Sequence, residues 1–255
     1  KAISINNDGK YVANYYDMIN LFSFDPATQR NDIPQNVTNS QIVTTNTNRF
    51  GIYAQDLISF TEKIKLLAGI RWSWQESQAE TNNLVKNTIT EGAKKLDNAF
   101  SPKLGLVYQP MKDMSVFASY SNSFTPNTGT TVDLQPIKPS IIDQYEAGIK
   151  KDFWKGLLST NITMYQITNS NLAQTAEFKA DGSINTDTTI KTLSGETKSK
   201  GVEVDITARP IQGLSIIAGY SYNDMRYTKT SGLNGSFIEG DRLVRTPANT
   251  ANLSF

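Results

Sequence analysis

The sequence predicts an all-β fold, an antiparallel sheet of about nine strands forming part of a transmembrane β-barrel. Three observations carry this. Apolar residues recur with period two, the connections alternate between short and long, and mid-strand charges keep almost entirely to one row.

The first strand is expected near 49–60. The second, near 64–76, shows the pattern plainly in "IKLLAGIRWSWQ" (Ile64–Gln75). Ile64, Leu66, Ala68, Ile70, Trp72 and Trp74 form one row; Lys65, Leu67, Gly69, Arg71, Ser73 and Gln75 form the other. In an extended chain these rows face opposite ways, whereas a helix would spread the same apolar residues around its circumference. The third, near 98–109, sets Phe100, Leu104, Leu106 and Tyr108 in a row broken by Pro102, against Lys103, Gly105 and Gln109. A fourth follows near 114–124. The fifth, near 142–152, opposes Tyr145, Ala147 and Ile149 to Gln144, Glu146, Gly148 and Lys150. A sixth lies near 156–168. In the seventh, near 198–208, Val202, Val204 and Ile206 oppose Gly201, Glu203, Asp205 and Thr207. The eighth, near 214–227, places Leu214, Ile216, Ala218, Tyr220 and Tyr222 against Ser215, Ile217, Gly219, Ser221 and Asn223. The ninth runs near 247–255.

Between these strands the connections alternate. "TEK", "PMKD", "FWK" and "RPIQG" are tight, and between them lie connectors of roughly 15–30 residues rich in Asn, Thr, Gly and Ser. Within one of them "DGS" at Asp181 reads as a turn. Short turns at one end and long loops at the other are the habit of outer-membrane barrels, with the loops outside. A cation facing lipid costs about 2–4 kcal/mol at the bilayer midplane and little near its edge. Lys198 and Lys200 break the one-face rule at a strand start, where that cost is small. Trp72, Trp74, Phe100, Tyr120, Tyr220 and Tyr222 fall toward the long loops, and Phe60, Tyr108, Phe153 and Trp154 toward the short turns, as two interfacial belts would. A soluble sandwich also alternates along a strand; the three observations together favour the barrel.

Composition narrows the chemistry. The 255 residues carry a net charge of +1, which gives nothing to draw nucleic acid. With no cysteine there is no disulfide, and with no histidine there is no imidazole metal site or Ser-His-Asp triad. No close carboxylate pair suggests glycoside hydrolysis, and no Gly-rich phosphate loop is present. No apolar run approaches the roughly 20 residues of a membrane-spanning helix.

The segments "NRFGIYAQDLISFTEKIKLLAGIRW", "FSPKLGLVYQPMKDMSVFASYSNSFTP", "GETKSKGVEVDITARPIQGLSIIAGYSYNDMRY" and "GDRLVRTPANTANLSF" follow one another in the order seen in TonB-dependent siderophore receptors, which they resemble. "INLFSFDP" near the start is similar to an element of an extracellular loop in that family. The resemblance implies a barrel of about 22 strands closed by a plug domain. It implies a bacterial outer-membrane receptor that binds a ferric siderophore and imports it with energy passed on by TonB. Residues 1–255 would then be part of the barrel domain, with 1–47 mostly extracellular loop and the plug and C-terminal strands outside these residues. Partners would be the ferric siderophore, outer-membrane lipid and, through the plug, the TonB complex. No catalysis and no resident cofactor are expected, iron arriving only within the ligand. Importers of glycans, cobalamin or other metal complexes, a passive porin or adhesin barrel, and a soluble β-rich module are the alternatives.

Arg71, Lys103, Glu146, Lys150, Glu203 and Asp205 are expected to face the lumen, lining water or meeting the plug. Aromatic and cationic loop residues suit bulky anionic chelates. Candidates for ligand contact are Tyr11, Tyr15, Tyr16, Phe22 and Phe24 in the first segment, and Arg226 and Tyr227 at a loop base.

Overall fold

A computed structural model describes residues 2–7, 39–232 and 237–255. The strands are β1 (Ala2–Asn7), β2 (Asn39–Ser59), β3 (Ile64–Asn83), β4 (Thr88–Glu91), β5 (Lys95–Met111), β6 (Met114–Thr125), β7 (Ser140–Phe153), β8 (Leu158–Thr175), β9 (Lys191–Ala208), β10 (Ile216–Lys229) and β11 (Asn249–Ser254). The chain divides into two compact units, 1–50 with 74–96 and 51–73 with 97–255. In the first, β1 pairs with the start of β2 and β4 with the end of β3, both antiparallel. In the second, the strands from β5 to β11 follow one another as an antiparallel meander.

All nine expected strands are present, and most are longer than expected. β2 begins at Asn39 rather than near 49, β3 runs to Asn83 rather than 76, and β9 begins at Lys191 rather than 198. β1 and β4 were not foreseen, and β1 with the early start of β2 brings strand into the 1–47 stretch at both ends. Residues 8–38 lie outside the described residues. An 18-residue strand such as β8 is about 60 Å long, while a lipid-facing apolar band is about 25 Å tall. The surplus lies beyond the band. There both strand faces meet water, and the period-two signal vanishes while the hydrogen-bonded ladder continues.

Register fixes which residues share a face, because directly paired residues point the same way. Tyr108, Val116, Ile149, Ile162, Val204, Tyr220 and Ala251 are paired in succession across seven strands. The next row is Leu106, Ala118, Ala147, Met164, Val202, Tyr222 and Asn249. This face is exposed: Leu106 shows 49% of its surface and Met164 61%. Burying such a side chain is worth about 1.5–3 kcal/mol, so an apolar face this wide requires a cover. Nearer the short turns the same face carries Lys151, whose ammonium lies 2.6 Å from an Asp113 oxygen.

The opposite face is mostly polar. One row is Ser115, Lys150, Asn161, Asp205, Gly219 and Asn252; the next is Val107, Phe117, Gly148, Thr163, Glu203, Ser221 and Thr250. Two glycines here admit rings. A Cβ on Gly148 would lie 2.6 Å from the Phe117 ring, and one on Gly201 would lie 2.5 Å from the Tyr165 ring. Among the described residues only Ile137, Ala176 and Ile190 are buried hydrophobics, and all three lie in long connections between strands.

Candidate functional site

Five of the six residues expected on the lumen are placed on the mostly polar face by register: Lys103, Glu146, Lys150, Glu203 and Asp205. Arg71 joins them, since Leu67, two positions on either side of Gly69 from it, packs over Gly105 of that face. Each anion has a polar neighbour on the same face. Ser119 and Gln144 donate to Glu146, Asn161 to Asp205 at 3.1 Å, and Ser221 to Glu203 at 3.4 Å. The Lys150 ammonium lies 5.4 Å from the centroid of the Phe117 ring that fills the Gly148 notch. The charges are thus held by short polar contacts, which a sheet facing water or a polar partner tolerates.

On the same face a cleft of about 440 Å³ is lined by Tyr53, Gln55, Arg71, Ser101, Lys103 and Ser121, among others. Arg71 Nε donates to Ser73 Oγ at 2.9 Å, and its guanidinium lies against Gly51. Among the described residues Lys103 has no ion-pair partner. Tyr53 and Gln55 did not stand out in the sequence, because β2 alternates weakly there.

The two loop-base candidates part company. Arg226 and Tyr227 are neighbours in β10 and face opposite ways. Tyr227 shares the face of Thr197, and its ring stacks on Phe237 with centroids 4.4 Å apart. Arg226 lies on the apolar row's face, beyond Tyr220, Tyr222 and Asp224. Its Nε donates to both Asp224 oxygens at 3.0 and 2.9 Å, and its Nη1 to the Gly240 carbonyl at 2.8 Å. Arg242 also reaches Asp224, at 3.4 Å. Sequence reading missed Asp224 and Arg242, whose pairing depends on the path of a loop. Tyr11, Tyr15, Tyr16, Phe22 and Phe24 lie outside the described residues.

The connections 126–139 and 176–190 are knit together. Thr130 N donates to Thr189 O at 3.0 Å, and Lys191 N to Thr130 O at 2.7 Å. Ser140, itself buried, donates to Asn127 Oδ1 or to the Asn171 carbonyl. Two aspartates tie turns within them. Asp181 accepts from Ser183 N and Oγ at 2.9 and 2.6 Å; Asp187 accepts from Thr189 N and Oγ1 at 2.8 and 2.7 Å. These hydrogen bonds, the hydroxyl's first, hold both carboxyls below their usual range. Among the described residues no group of three or more acidic side chains is placed to hold a metal ion.

Comparison with known proteins agrees with this architecture. The metal-pseudopaline receptor of Pseudomonas aeruginosa is 28% identical over 200 residues, covering 78% of this chain and 27% of the receptor. The ferrichrome outer membrane transporter/phage receptor of Escherichia coli is 26% identical over 231 residues, covering 90% of this chain and 28% of the transporter. The chain therefore spans less than a third of the length of these relatives. The crystal structure of the siderophore receptor PiuA from Acinetobacter baumannii has the same fold over 86% of this chain and 32% of its own, with a TM-score of 0.69 at 22% identity. A sequence description of the TonB dependent receptor-like β-barrel matches residues 4–255. With that match over nearly every residue, and with one apolar and one polar sheet face beneath interlocked loops, the chain belongs to the TonB-dependent receptor β-barrel family.

Proposed function

We propose that this chain supplies wall and loops to a receptor that binds a ferric siderophore and imports it, using energy delivered through TonB. The chain belongs to a barrel of the bacterial outer membrane. The observation that carries the cargo assignment is the run of relatives along 70–90% of the chain, whose names include receptors for ferric-pyoverdine, ferrioxamine and ferrichrome. Such import breaks no covalent bond in the cargo as it crosses. It needs a selective outer site, a polar interior and a rigid frame. In this reading Arg71, Lys103, Glu146, Lys150, Glu203 and Asp205 face the lumen, where a plug domain and water meet them. The interlocked loops hold the outer rim in shape, and Tyr227 with Phe237 offers an aromatic surface there. Arg226, already bound to Asp224 and Gly240, acts by fixing that rim. Tyr11, Tyr15, Tyr16, Phe22 and Phe24 remain candidates for ligand contact. No resident cofactor is required, iron being cargo.

A second reading is import of a different metal complex, favoured by the likeness to the metal-pseudopaline receptor. Tryptophan-fluorescence titration of the full-length receptor in detergent separates the two. The panel holds ferric hydroxamates, ferric catecholates, ferric citrate, nickel and zinc chelates, cobalamin and oligosaccharides. Saturable submicromolar quenching by one ferric class is the expected result. Binding confined to another metal chelate, cobalamin or a glycan keeps the family and overturns the iron assignment.

A further inference from the structure

Glycines of the long strands collect on one face. Register places Gly105, Gly148, Gly201 and Gly219 on the polar face. Gly69 lies there with Leu67 and Arg71, and Gly51 sits beneath the Arg71 guanidinium. Neither of the two apolar rows contains a glycine. Glycine weakens a strand, because it loses more entropy on folding and has no side chain to pack. Inside strands it marks a bulge, a bend, or a place where a second body comes close to the backbone. Gly105, Gly148, Gly201 and Gly219 pair away from every register shift, and none of the glycines on this face has a positive φ. Bulges and left-handed turns therefore do not account for them.

Each of these glycines is covered by a side chain from the neighbouring strand. A Cβ would stand 2.5 Å from Arg71 at Gly51, 3.2 Å from Gln55 at Gly69 and 3.5 Å from Leu67 at Gly105. It would stand 2.6 Å from Phe117 at Gly148, 2.5 Å from Tyr165 at Gly201 and 2.5 Å from Asn252 at Gly219. The neighbour thus lies down over the backbone instead of standing up from the sheet. The rings show the effect. Phe117 and Tyr165 are half-buried, whereas Tyr145 and Tyr220 on the apolar face show 52% and 47% of their surface. Charges stand two residues from the notches, at Lys103, Glu146 and Glu203, on the same face as Gly105, Gly148 and Gly201. The polar face is thus level at the glycines and charged between them.

We propose that Gly51, Gly69, Gly105, Gly148, Gly201 and Gly219 level the wall into a seat on which the plug domain lies. The laid-down side chains are its floor. Lys103, Glu146 and Glu203 are the polar points that the plug meets between the notches. The seat rests on the reading that a plug fills the lumen and is independent of the cargo. It explains why the glycines keep to the polar face, although a notch on the apolar face would cost the strands no more.

Hydrogen exchange of the full-length receptor in lipid vesicles tests the seat. Gly219→Ala and Gly51→Ala suit it, because the nearest atoms to the added methyl all belong to the Asn252 or Arg71 side chain. At Gly148 and Gly201 the methyl would also meet a main-chain carbonyl. Each variant lifts a side chain into the lumen and should speed exchange of plug amides roughly tenfold or more. The β9–β10 ladder at Val204 and Tyr220 should keep its rates. Asn252→Ala in the Gly219→Ala background removes the lifted side chain and should restore the parent plug rates. Ala118→Leu adds bulk on the apolar face and should leave plug exchange unchanged. Unaltered plug exchange in both glycine variants, or no recovery on trimming Asn252, overturns the seat. Acceleration of the ladder along with the plug assigns the glycines to bending of the sheet and overturns it as well. The parent receptor separates this failure from that of the wider reading. A protected plug that ignores the substitutions removes the seat alone. A plug whose amides exchange as freely as an unfolded segment removes the occupied lumen and the seat with it.

Discussion

The sheet and the interlocked loops solve the hydrophobic problem in opposite ways. Along β6 to β10 the large apolar side chains lie on an exposed face, as with Met164 and Tyr220. In the loops, by contrast, Ile137 is 1% exposed, with Ala176 and Ile190 also buried. The sheet borrows its core from the bilayer, while the loops, standing in water, carry their own. A substitution should therefore be judged by where the surrounding apolar phase comes from.

The sharpest way to break this contrast is to charge the borrowed core. Val204→Lys places an ammonium between Ile162 and Tyr220 in the apolar row. It should cost about 2–4 kcal/mol of stability in lipid if that row lies near the bilayer midplane. Glu203→Lys, one residue away on the polar face, should change stability far less. Denaturant unfolding of the full-length receptor in lipid vesicles measures both, and equal losses would show that the two faces meet the same medium.

Next in size is the loop core. Ile137→Ala should destabilise the packed connections by about 2–3 kcal/mol and leave the sheet intact. Amide exchange at Thr130 and Lys191, whose N–H groups join the two connections, should then accelerate by tens of fold. Amides in the β8–β9 ladder should not change. Equal acceleration in the ladder would mean that sheet and loops share one core after all.

A smaller effect is expected where a ring fills a notch in the sheet. Gly201→Ala puts a methyl against the Tyr165 ring and the Tyr222 carbonyl, and should cost about 1–2 kcal/mol. Tyr165→Leu in the same background should recover part of that loss by withdrawing the ring, although the carbonyl contact persists. Failure to recover any would place the strain wholly in the backbone.

The contrast also explains what could be read from the sequence. Wherever lipid touches one face, alternation is enforced residue by residue, so each of the nine strands was legible in its own stretch, and the charge-bearing face within segments such as Ile64–Gln75 and Gly201–Thr207. Beyond the bilayer that constraint lapses. The start of β9 at Lys191, the far end of β3 and the exposed "TITE" of β4 left no periodic trace. The loop core was equally silent, since Ile137, Ala176 and Ile190 are isolated apolar residues in polar stretches, each buried only by the path of the connections. Arg226 could be noticed as a cation at a loop base. That it faces away from Tyr227, and that Asp224 and the Gly240 carbonyl hold it, depends on register and on the return path of residues 237–243.

The smallest effect concerns pH, and it separates the two regions by sign alone. Asp181 and Asp187 lie in the loops, and hydrogen bonds from Ser183 and Thr189 lower both carboxyls from the ordinary 3.8. A lowered folded value means that the ionised form favours the ordered turn. That contribution is whole above pH 3.8 and is lost as pH falls through the lowered values. Protection of the Ser183 and Thr189 amides, corrected for intrinsic exchange, should hold steady from neutral pH to about pH 4 and decline below it. Asp187→Asn should abolish the decline at Thr189 and spare that at Ser183. The β7–β8 ladder at Ala147 and Met164, apolar on this face, should show no matching step. A midpoint at or above 3.8 would mean that the carboxylates do not hold these turns, and a parallel step in the ladder would mean that the loops transmit their titration into the sheet.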